Sequence, residues 1–260
     1  MTEQAVKTIV AKAFSKKIEN KLIMENGKAN TIVGGDYTPT EYILPRIDTT
    51  STYPLLPKLN TGTEPYERVG GSISPKALKL RGTIFFTFDA LGNNSLSKCL
   101  DLRLMVVTNK SQRSMPDLLA NAGNQYTDTL LWNGQAGDST DYKGCAPYYN
   151  QMPINRKSWN VIEDRIIHLR KGLGSSVIGG AGETFMSSQR SYTFEIVLTA
   201  KDLPSTLKYD GGFGTIYPTN FAPVFYIGFV DVQGSTPIGN TASDKAVRME
   251  YQTSLIFEDA

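Results

Sequence analysis

The chain has 260 residues, 40% of them hydrophobic and 10% aromatic, with 27 basic against 25 acidic residues. This length suits one large all-β domain or two small domains, and the balanced charge excludes wholesale disorder. No apolar run reaches the roughly 18 residues that cross a bilayer, and residues 1–14 lack the apolar block of a signal peptide. We therefore expect a soluble globular protein that is made in a reducing compartment and is not inserted in a membrane.

The first 30 residues are mildly basic, with six lysines against three glutamates, whereas the rest of the chain carries a net charge of −1. Several alanines over residues 5–22, and no helix breaker before Gly27, predict a short N-terminal helix. Lys17 interrupts its apolar stripe, so the amphipathic pattern is partial. Residues 1–33 are then either a solvated leader or a basic arm that becomes ordered on a polyanion.

Residues 34–75 are rich in proline, glycine, threonine and tyrosine. Because the repeated prolines forbid a long helix, the segment is predicted to be an extended arm with one short strand over residues 41–47. We place the boundary of the main domain at residue 76, so that it covers residues 76–260.

A hydrophobic period of two begins at residue 76 and predicts β-strands. Alternation of apolar and polar side chains without helix–strand repetition indicates an antiparallel sandwich or jelly roll. The predicted fold is therefore all-β, an eight-stranded antiparallel jelly roll preceded by a short helical leader. Including residues 41–47, the predicted strands cover residues 76–88, 100–107, 128–132, 160–170, 192–199, 224–232 and 246–257.

Motifs for catalysis are absent from the sequence. The single histidine, His168, has no Gly-x-Ser-x-Gly nucleophile motif to accompany it, and Cys99 and Cys145 are too few for a cysteine-rich zinc site. The glycine cluster over residues 172–182 lacks the Gly-Lys-Ser/Thr ending of a phosphate loop. We predict no enzymatic activity, no cofactor and no metal, although a cation held by carboxylates at a subunit interface stays open.

Eight segments, in this order, resemble parts of the capsid proteins of small circular Rep-encoding single-stranded DNA viruses, the group with circovirus-like and geminivirus-like coats. They are GSISPKALKLRGTIFF, CLDLRLMVVTNK with its arginine in an apolar strand just before a polar turn, WNVIEDR, the Gly-rich stretch after it, Leu207-Lys-Tyr209, the turn Pro218-Thr-Asn220, APVFYIGFV, and a last strand ending in Tyr251-Gln-Thr. The resemblance covers roughly residues 70–257 and rests on the order and spacing of these segments.

The resemblance implies a jelly-roll coat protein that assembles with itself into an icosahedral T=1 shell of about 60 copies around a single-stranded DNA genome. It implies no enzymatic activity, and a location in the virion after assembly inside the host cell, with the nucleus as one candidate compartment. The host receptor is unknown. The leader would face the interior and contact phosphates without reading sequence, through Lys7, Lys12, Lys16, Lys17 and Lys21, with Lys79 and Arg81 as candidates for an interior basic face.

One feature departs from the family pattern, because such coats usually begin with an arginine-rich arm and the first arginine here is Arg46. A leader of net charge +3 in about 60 copies supplies on the order of 180 charges, far fewer than the phosphates of a genome of about a thousand nucleotides or more. Genome packaging would then require mobile cations, another basic molecule or an interior basic face.

The family-like pair Asp164 and Arg165 is predicted to lie at a subunit contact, where a charge reversal should impair assembly more than folding. The alternative function is a carbohydrate-binding, lectin-like β-sandwich module. It has the same alternation of side chains, and its candidate sugar-binding aromatics are Tyr126, Trp132, Tyr148 and Tyr149.

Overall fold

The computed structural model contains two β-sheets that pack face to face. The structure describes residues 4, 20–33, 41–44, 46–47, 52–53, 55–86, 99–120, 130–132, 139–140, 151–170, 191–209, 216–231 and 245–259. Its strands are β1 Lys21–Val33, β2 Glu41–Leu44, β3 Arg46–Ile47, β4 Thr52–Tyr53, β5 Ser72–Phe86, β6 Cys99–Asn109, β7 Leu131–Trp132, β8 Ser139–Thr140, β9 Trp159–Arg170, β10 Ser191–Thr199, β11 Leu207–Lys208, β12 Pro223–Asp231 and β13 Lys245–Asp259. The helix α1 covers Met115–Ala120.

The first sheet has the strand order β1-β13-β5-β10, and the short β11 also pairs with β5. The second sheet has the order β2-β12-β6-β9. All these pairings are antiparallel, and β3-β4 and β7-β8 form two small ribbons outside the main sheets. The prediction of a mostly antiparallel all-β sandwich is confirmed.

The core lies between the two sheets, where alternate side chains of each strand point inward. Leu78 and Leu80 of β5 face it from the first sheet, and Leu102 and Leu104 of β6 from the second; all four are at most 1% exposed. The rings of Phe194 and Phe225 stack across it, with centroids 5.6 Å apart. The period of two in the sequence thus corresponds to one buried face on each strand.

The central strands of the second sheet, β6 and β12, are buried on their outer faces as well. Along β6, the outward-facing Arg103, Met105 and Val107 are at most 4% exposed, and β12 has no accessible surface from Val224 to Ile227. Met152, in the connection from β6 to β9, lies at this face, where its carbonyl oxygen accepts a hydrogen bond from Arg103 Nη1. This burial on both faces is the reason that β12 is continuously apolar in sequence.

Strand β1 corrects the prediction of an N-terminal helix over residues 5–22. The helix is contradicted at Lys21 and Leu22, which belong to the strand Lys21–Val33, and residues 5–19 lie outside the described part of the chain. The strand pairs with β13 from Lys21↔Phe257 to Val33↔Lys245. Residues 21–33 are therefore part of the sandwich and not of a separate leader.

Strand β1 is difficult to recognise in the sequence because charged side chains point inward and apolar side chains point outward. Lys21 and Glu25 point toward the core side, opposite Phe257 and Thr253, whereas Leu22 and Met24 point outward and are 47% and 57% exposed. An inward charge is tolerated only when it is compensated. Glu25 accepts a hydrogen bond from the Lys58 backbone N–H at 2.9 Å, and Lys21 is paired as described below.

The predicted arm over residues 34–75 is also part of the fold. Its strand β2 joins the second sheet beside β12, and β5 begins at Ser72, four residues before the predicted boundary. Leu55, Leu56 and Leu59 are at most 1% exposed. These leucines belong to the hydrophobic core.

One end of the sandwich, which we call the basal end, contains the start of β1 and the end of β13. The turn after β10 lies at this end of the first sheet, as the pairings Ala77↔Thr199 and Ile73↔Asp259 require. The turn after β6 and the segments that precede β9 and β12 meet at one end of the second sheet, through Asn109↔Trp159 and Thr108↔Pro223. Side chains from both groups line one cleft, so the two ends coincide. The backbone hydrogen bond from Met115 N to Pro218 O joins two of these segments.

Gly82 in β5 is expected to tolerate no side chain. A Cβ atom there would lie 2.6 Å from Phe194 Cζ and 3.0 Å from the Glu250 carbonyl oxygen. We expect Gly82→Ala to lower the free energy of unfolding in urea by about 1 to 3 kcal/mol through overpacking. Gly71→Ala is the control, because its nearest neighbour is the Tyr209 carbonyl oxygen at 3.6 Å, and an equal loss in both variants would contradict this explanation.

Candidate nucleic-acid and subunit interfaces

The predicted phosphate-binding lysines of the leader are mostly outside the described residues: Lys7, Lys12, Lys16 and Lys17 are not described. Lys21 is described, and its Nζ atom lies 2.6 Å from Asp259 Oδ2 and donates to the Glu67 carbonyl oxygen at 2.8 Å. Its side chain is 14% exposed. Lys21 therefore links the start of β1 to the end of β13, and its charge is already compensated within the chain.

The predicted basic face at Lys79 and Arg81 lies on the outward side of the first sheet, since the neighbouring Leu78 and Leu80 point inward. Arg81 pairs with Glu195 directly across on β10, with its Nε 3.0 Å from Oε2 and its Nη2 3.2 Å from Oε1. Of these two cations, Lys79 is the one that forms no ion pair among the described residues. The face therefore offers little net charge to a polyanion.

Asp164 forms a two-pronged ion pair within the chain. Its Oδ1 and Oδ2 accept hydrogen bonds from Arg103 Nε and Nη2, each at 2.8 Å. The Arg103 side chain is 5% exposed and that of Asp164 is 31% exposed. Two parallel hydrogen bonds to a buried guanidinium are a strong, geometrically specific contact. The carboxylate predicted for a subunit contact thus holds an arginine in the second sheet.

Arg165 points to the opposite side of β9 from Asp164 and connects the two sheets at their edge. Its Nη2 donates to the Glu195 carbonyl oxygen of β10 at 3.3 Å, and its Nε lies 3.7 Å from Glu163 Oε1. Asp164 and Arg165 lie on opposite faces of β9, since successive residues of a strand face opposite ways. That the pair lies at a subunit contact stays a prediction.

His168 lies in β9 with its ring exposed, and its Nδ1 is 2.6 Å from Asp101 Oδ1 on β6. These two residues are directly opposite each other in the β6–β9 pairing. Among the described residues, no group of three or more histidine, cysteine, aspartate or glutamate side chains could hold a metal ion. The contact therefore resembles an ordinary cross-strand pair.

A cleft of about 270 Å³ opens at the basal end. It lies where the turn after β6, the turn after β10 and the segment before β12 meet. Its wall combines apolar side chains, which include Leu203, Pro204 and Phe221, with the polar side chains of Thr108, Asn109, Arg113, Asn160, Asp202 and Asn220.

Six basic residues lie in the segments that form this cleft, and we call them the basal rim. The same described segments, residues 108–120, 151–160, 199–209 and 216–222, contain two acidic residues, Asp117 and Asp202, so their net charge is +4. Lys110 is joined to one of the others, as its Nζ donates to the Arg156 carbonyl oxygen. The rim consists of Lys110, Arg113, Arg156, Lys157, Lys201 and Lys208.

Sequence reasoning did not find the basal rim, because its residues come from three separate segments of the chain. No run of consecutive basic residues marks them beyond Arg156-Lys157. Each rim residue lies in or beside a turn that follows or precedes a strand. These positions predict a cluster only when the strand order is known.

Two buried tyrosines lie near the basal end. Burial raises the pKa of the Tyr209 and Tyr217 hydroxyls well above their usual value. The Arg68 guanidinium lies 4.6 Å from the centre of the Tyr209 ring and acts in the opposite direction on its pKa. Both phenols therefore stay neutral at physiological pH and serve as packing groups.

Most of the aromatic residues predicted for sugar binding lie outside the described residues. These are Tyr126, Tyr148 and Tyr149, whereas Trp132 lies in β7. In the described part of the chain, no helix has the length and hydropathy to cross a membrane.

Comparisons with known proteins identify no family. No protein-family model matches the chain, and no curated protein matches it significantly in sequence. Among solved structures, eleven chains match, and one of them is a structure of PNGF-II with a TM-score of 0.34 and 8% sequence identity. That match covers 95% of this chain and 36% of the PNGF-II chain, so the protein spans about a third of its length. A likeness this weak carries no argument about function.

Proposed function

We propose that the protein is the structural subunit of a viral capsid, a single jelly roll that assembles with itself into a small icosahedral shell around a single-stranded DNA genome. The observation that carries the proposal is the strand order of the two sheets. Counted in chain order, the eight main strands are β1, β2, β5, β6, β9, β10, β12 and β13.

With this count the first sheet has the order 1-8-3-6 and the second the order 2-7-4-5. Consecutive strands alternate between the sheets, except for the fourth and fifth, which are neighbours in the second sheet. This order supports a jelly roll made of two Greek keys, a topology that viral capsid domains share with lectins and cupins. The strand order therefore supports a jelly-roll protein, but it does not distinguish a capsid domain from a lectin or a cupin.

The positions of the family-like segments favour the capsid. GSISPKALKLRGTIFF ends with β5, CLDLRLMVVTNK contains β6, and WNVIEDR begins β9. The arginine of the second segment and the aspartate of the third are the ion pair Arg103–Asp164. Two residues from separate segments therefore form one ion pair, which is a physical reason for these two segments to occur together in one chain.

Apolar side chains beside an edge strand suit contact with another copy of the chain. β1 is the edge strand of the first sheet, and Leu22 and Met24 project from its outer face with 47% and 57% exposure. Exposed apolar groups and an unpaired strand edge favour association with another protein surface. We place a subunit contact here.

The proposal includes a place and partners for the protein. It would be located in the virion after assembly inside the host cell, with other copies of itself and the genome as partners, and it would have no enzymatic activity. The carbohydrate-binding alternative is supported by the same strand order and by the polar cleft, whose asparagines and Asp202 suit hydroxyl groups.

Electron microscopy of the purified protein tests the proposal. We expect closed shells about 200 Å across, and light scattering at the corresponding mass, because jelly-roll coats close by point-group symmetry. Met24→Glu should reduce shell formation while leaving the melting temperature of the subunit within a few degrees, since the side chain is exposed. Val197→Glu, at a position of β10 that is 40% exposed at the far edge of the same sheet, is the control for the contact at β1.

A monomer at all concentrations, with no shells under any salt or pH condition, would refute the capsid. If such a monomer bound an immobilised glycan, the carbohydrate-binding module would replace it. Shells that form equally well with Met24→Glu would uphold the capsid and overturn only the contact at β1.

A further inference from the structure

We propose that the cleft and the basal rim bind single-stranded nucleic acid, with phosphates on the rim and one unstacked base in the cleft. The choice of this partner rests on the proposed function. The location differs from both basic sites expected from the sequence, the leader and the face with Lys79 and Arg81.

Five of the six rim residues form no ion pair with a carboxylate of the described chain. Within the described chain, no carboxylate forms an ion pair with Lys110, Arg113, Arg156, Lys201 or Lys208. Several cations elsewhere on the sandwich are paired, as in Lys21–Asp259, Lys76–Glu258 and Arg81–Glu195. A cluster with an excess of one charge raises the local concentration of an oppositely charged polymer.

The rim is held in place by the backbone. Lys110 N donates to the Ser158 carbonyl oxygen at 2.9 Å, and Lys110 Nζ donates to the Arg156 carbonyl oxygen at 2.5 Å. On the other side, Lys208 N donates to Asn220 Oδ1 at 2.9 Å. Because Asn220 also lines the cleft, the two groups of cations flank the opening in fixed positions.

The interior of the cleft suits a base and not a phosphate. The Asp202 carboxylate accepts hydrogen bonds from Thr199 N and Oγ1 at 3.0 and 3.1 Å, which fixes it in the wall. A fixed negative charge repels phosphate but accepts hydrogen bonds from the amino group of a base. Asn109 and Asn160 add carboxamides that can both donate and accept, and Phe221 and Pro204 add apolar surface. Unstacked bases are recognised by this combination of stacking surface and polar edge contacts.

The position of the leader supports the same partner. Residue 20 joins β1 at the basal end, where Lys21 pairs with Phe257 in the strand register. The lysines of residues 1–19 are therefore tethered to the end of the sandwich that contains the rim. A polyanion bound at the rim would be within reach of the leader from the same subunit, which would increase the effective concentration of both sites.

The test is fluorescence anisotropy with a labelled oligothymidylate and a labelled mixed-sequence single strand over a range of salt concentrations. The triple variant Lys110→Gln, Arg113→Gln and Arg156→Gln removes three rim cations. We expect its affinity at low salt to fall at least tenfold, and the slope of log K against log salt to fall by about 2, as loss of about three phosphate contacts predicts. The matched control, Lys76→Gln, Lys79→Gln and Arg81→Gln, removes the same charge from β5 and should change neither quantity appreciably.

The cleft is tested separately with Asn160→Ala, whose side chain is exposed at the opening. This variant should weaken binding of the mixed-sequence strand severalfold with an unchanged salt slope, because it removes a base contact and no charge. Thermal melting of each variant checks that the fold is intact.

Equal salt slopes for the rim variant and the unmodified protein would overturn the inference. It would also be overturned if a heparin fragment of equal charge bound the rim more tightly than either oligonucleotide, because the site would then be one for a sulfated glycan. This test and the test of the capsid proposal can succeed or fail independently. A protein that forms no shells but loses DNA binding in the rim variant would uphold this site alone, whereas shells with unaltered DNA content in that variant would uphold the capsid alone.

Discussion

Asp164→Ala is expected to lower the free energy of unfolding by about 3 kcal/mol, because it removes a carboxylate that is paired with a buried arginine. The Arg103 side chain is 5% exposed, and both its Nε and Nη2 donate to the lost carboxylate. The guanidinium also donates from Nη1 to the Met152 carbonyl oxygen. Urea unfolding of the dissociated subunit measures the effect.

The control for this variant is Glu163→Gln on the same strand. Glu163 Oε1 lies 3.7 Å from Arg165 Nε and its side chain is 37% exposed, so we expect a loss of less than about 1 kcal/mol. The double variant Arg103→Met with Asp164→Leu should recover most of the stability, since an apolar pair can replace a buried ion pair. If Asp164→Ala is as stable as Glu163→Gln, the pair does not hold the sheet together.

Phe225→Ala is expected to be the most damaging single truncation, with a loss of about 3 to 5 kcal/mol. Phe225 has no accessible surface, is the third residue of β12, and stacks on Phe194 of the opposite sheet with ring centroids 5.6 Å apart. Its removal leaves a cavity between the two sheets that their hydrogen-bonded strands prevent from collapsing. Denaturant unfolding, followed by near-ultraviolet circular dichroism, measures the loss.

Val197→Ala on β10 is the comparison for the Phe225 truncation. Val197 is 40% exposed on the outer face of the first sheet, so we expect a change within about 0.5 kcal/mol. A similar loss in both variants would mean that the contact between the two sheets does not dominate the stability of the sandwich.

These two predictions change how the capsid proposal should be tested. A charge reversal at Asp164 would destabilise the second sheet, so a failure to form shells could not be assigned to a subunit contact. Met24 on β1 is a better probe, since its side chain is 57% exposed. Removal of the leader should likewise end at residue 19, because a deletion through residue 30 would remove most of β1.

The sequence alone predicts most strands of this fold. β5, β6, β10 and β13 each alternate apolar and polar residues, and β12 is apolar over residues 223–230 because its side chains are buried on both faces from Val224 to Ile227. These patterns are local consequences of burial on one face or two, so they are visible without knowledge of partners.

Strand β1 and the interaction surfaces were decided by the tertiary structure. The inward charges of β1 are compensated by residues distant in sequence, with Lys21 paired to Asp259 and Glu25 bonded to Lys58. The role of Asp164 depended on Arg103, 61 residues away, and the basal rim depended on the meeting of separate turns. The sequence by itself therefore determined which segments are strands with buried faces, whereas charge compensation and charge clustering were set by the strand order, because they depend on distances between residues far apart in the chain.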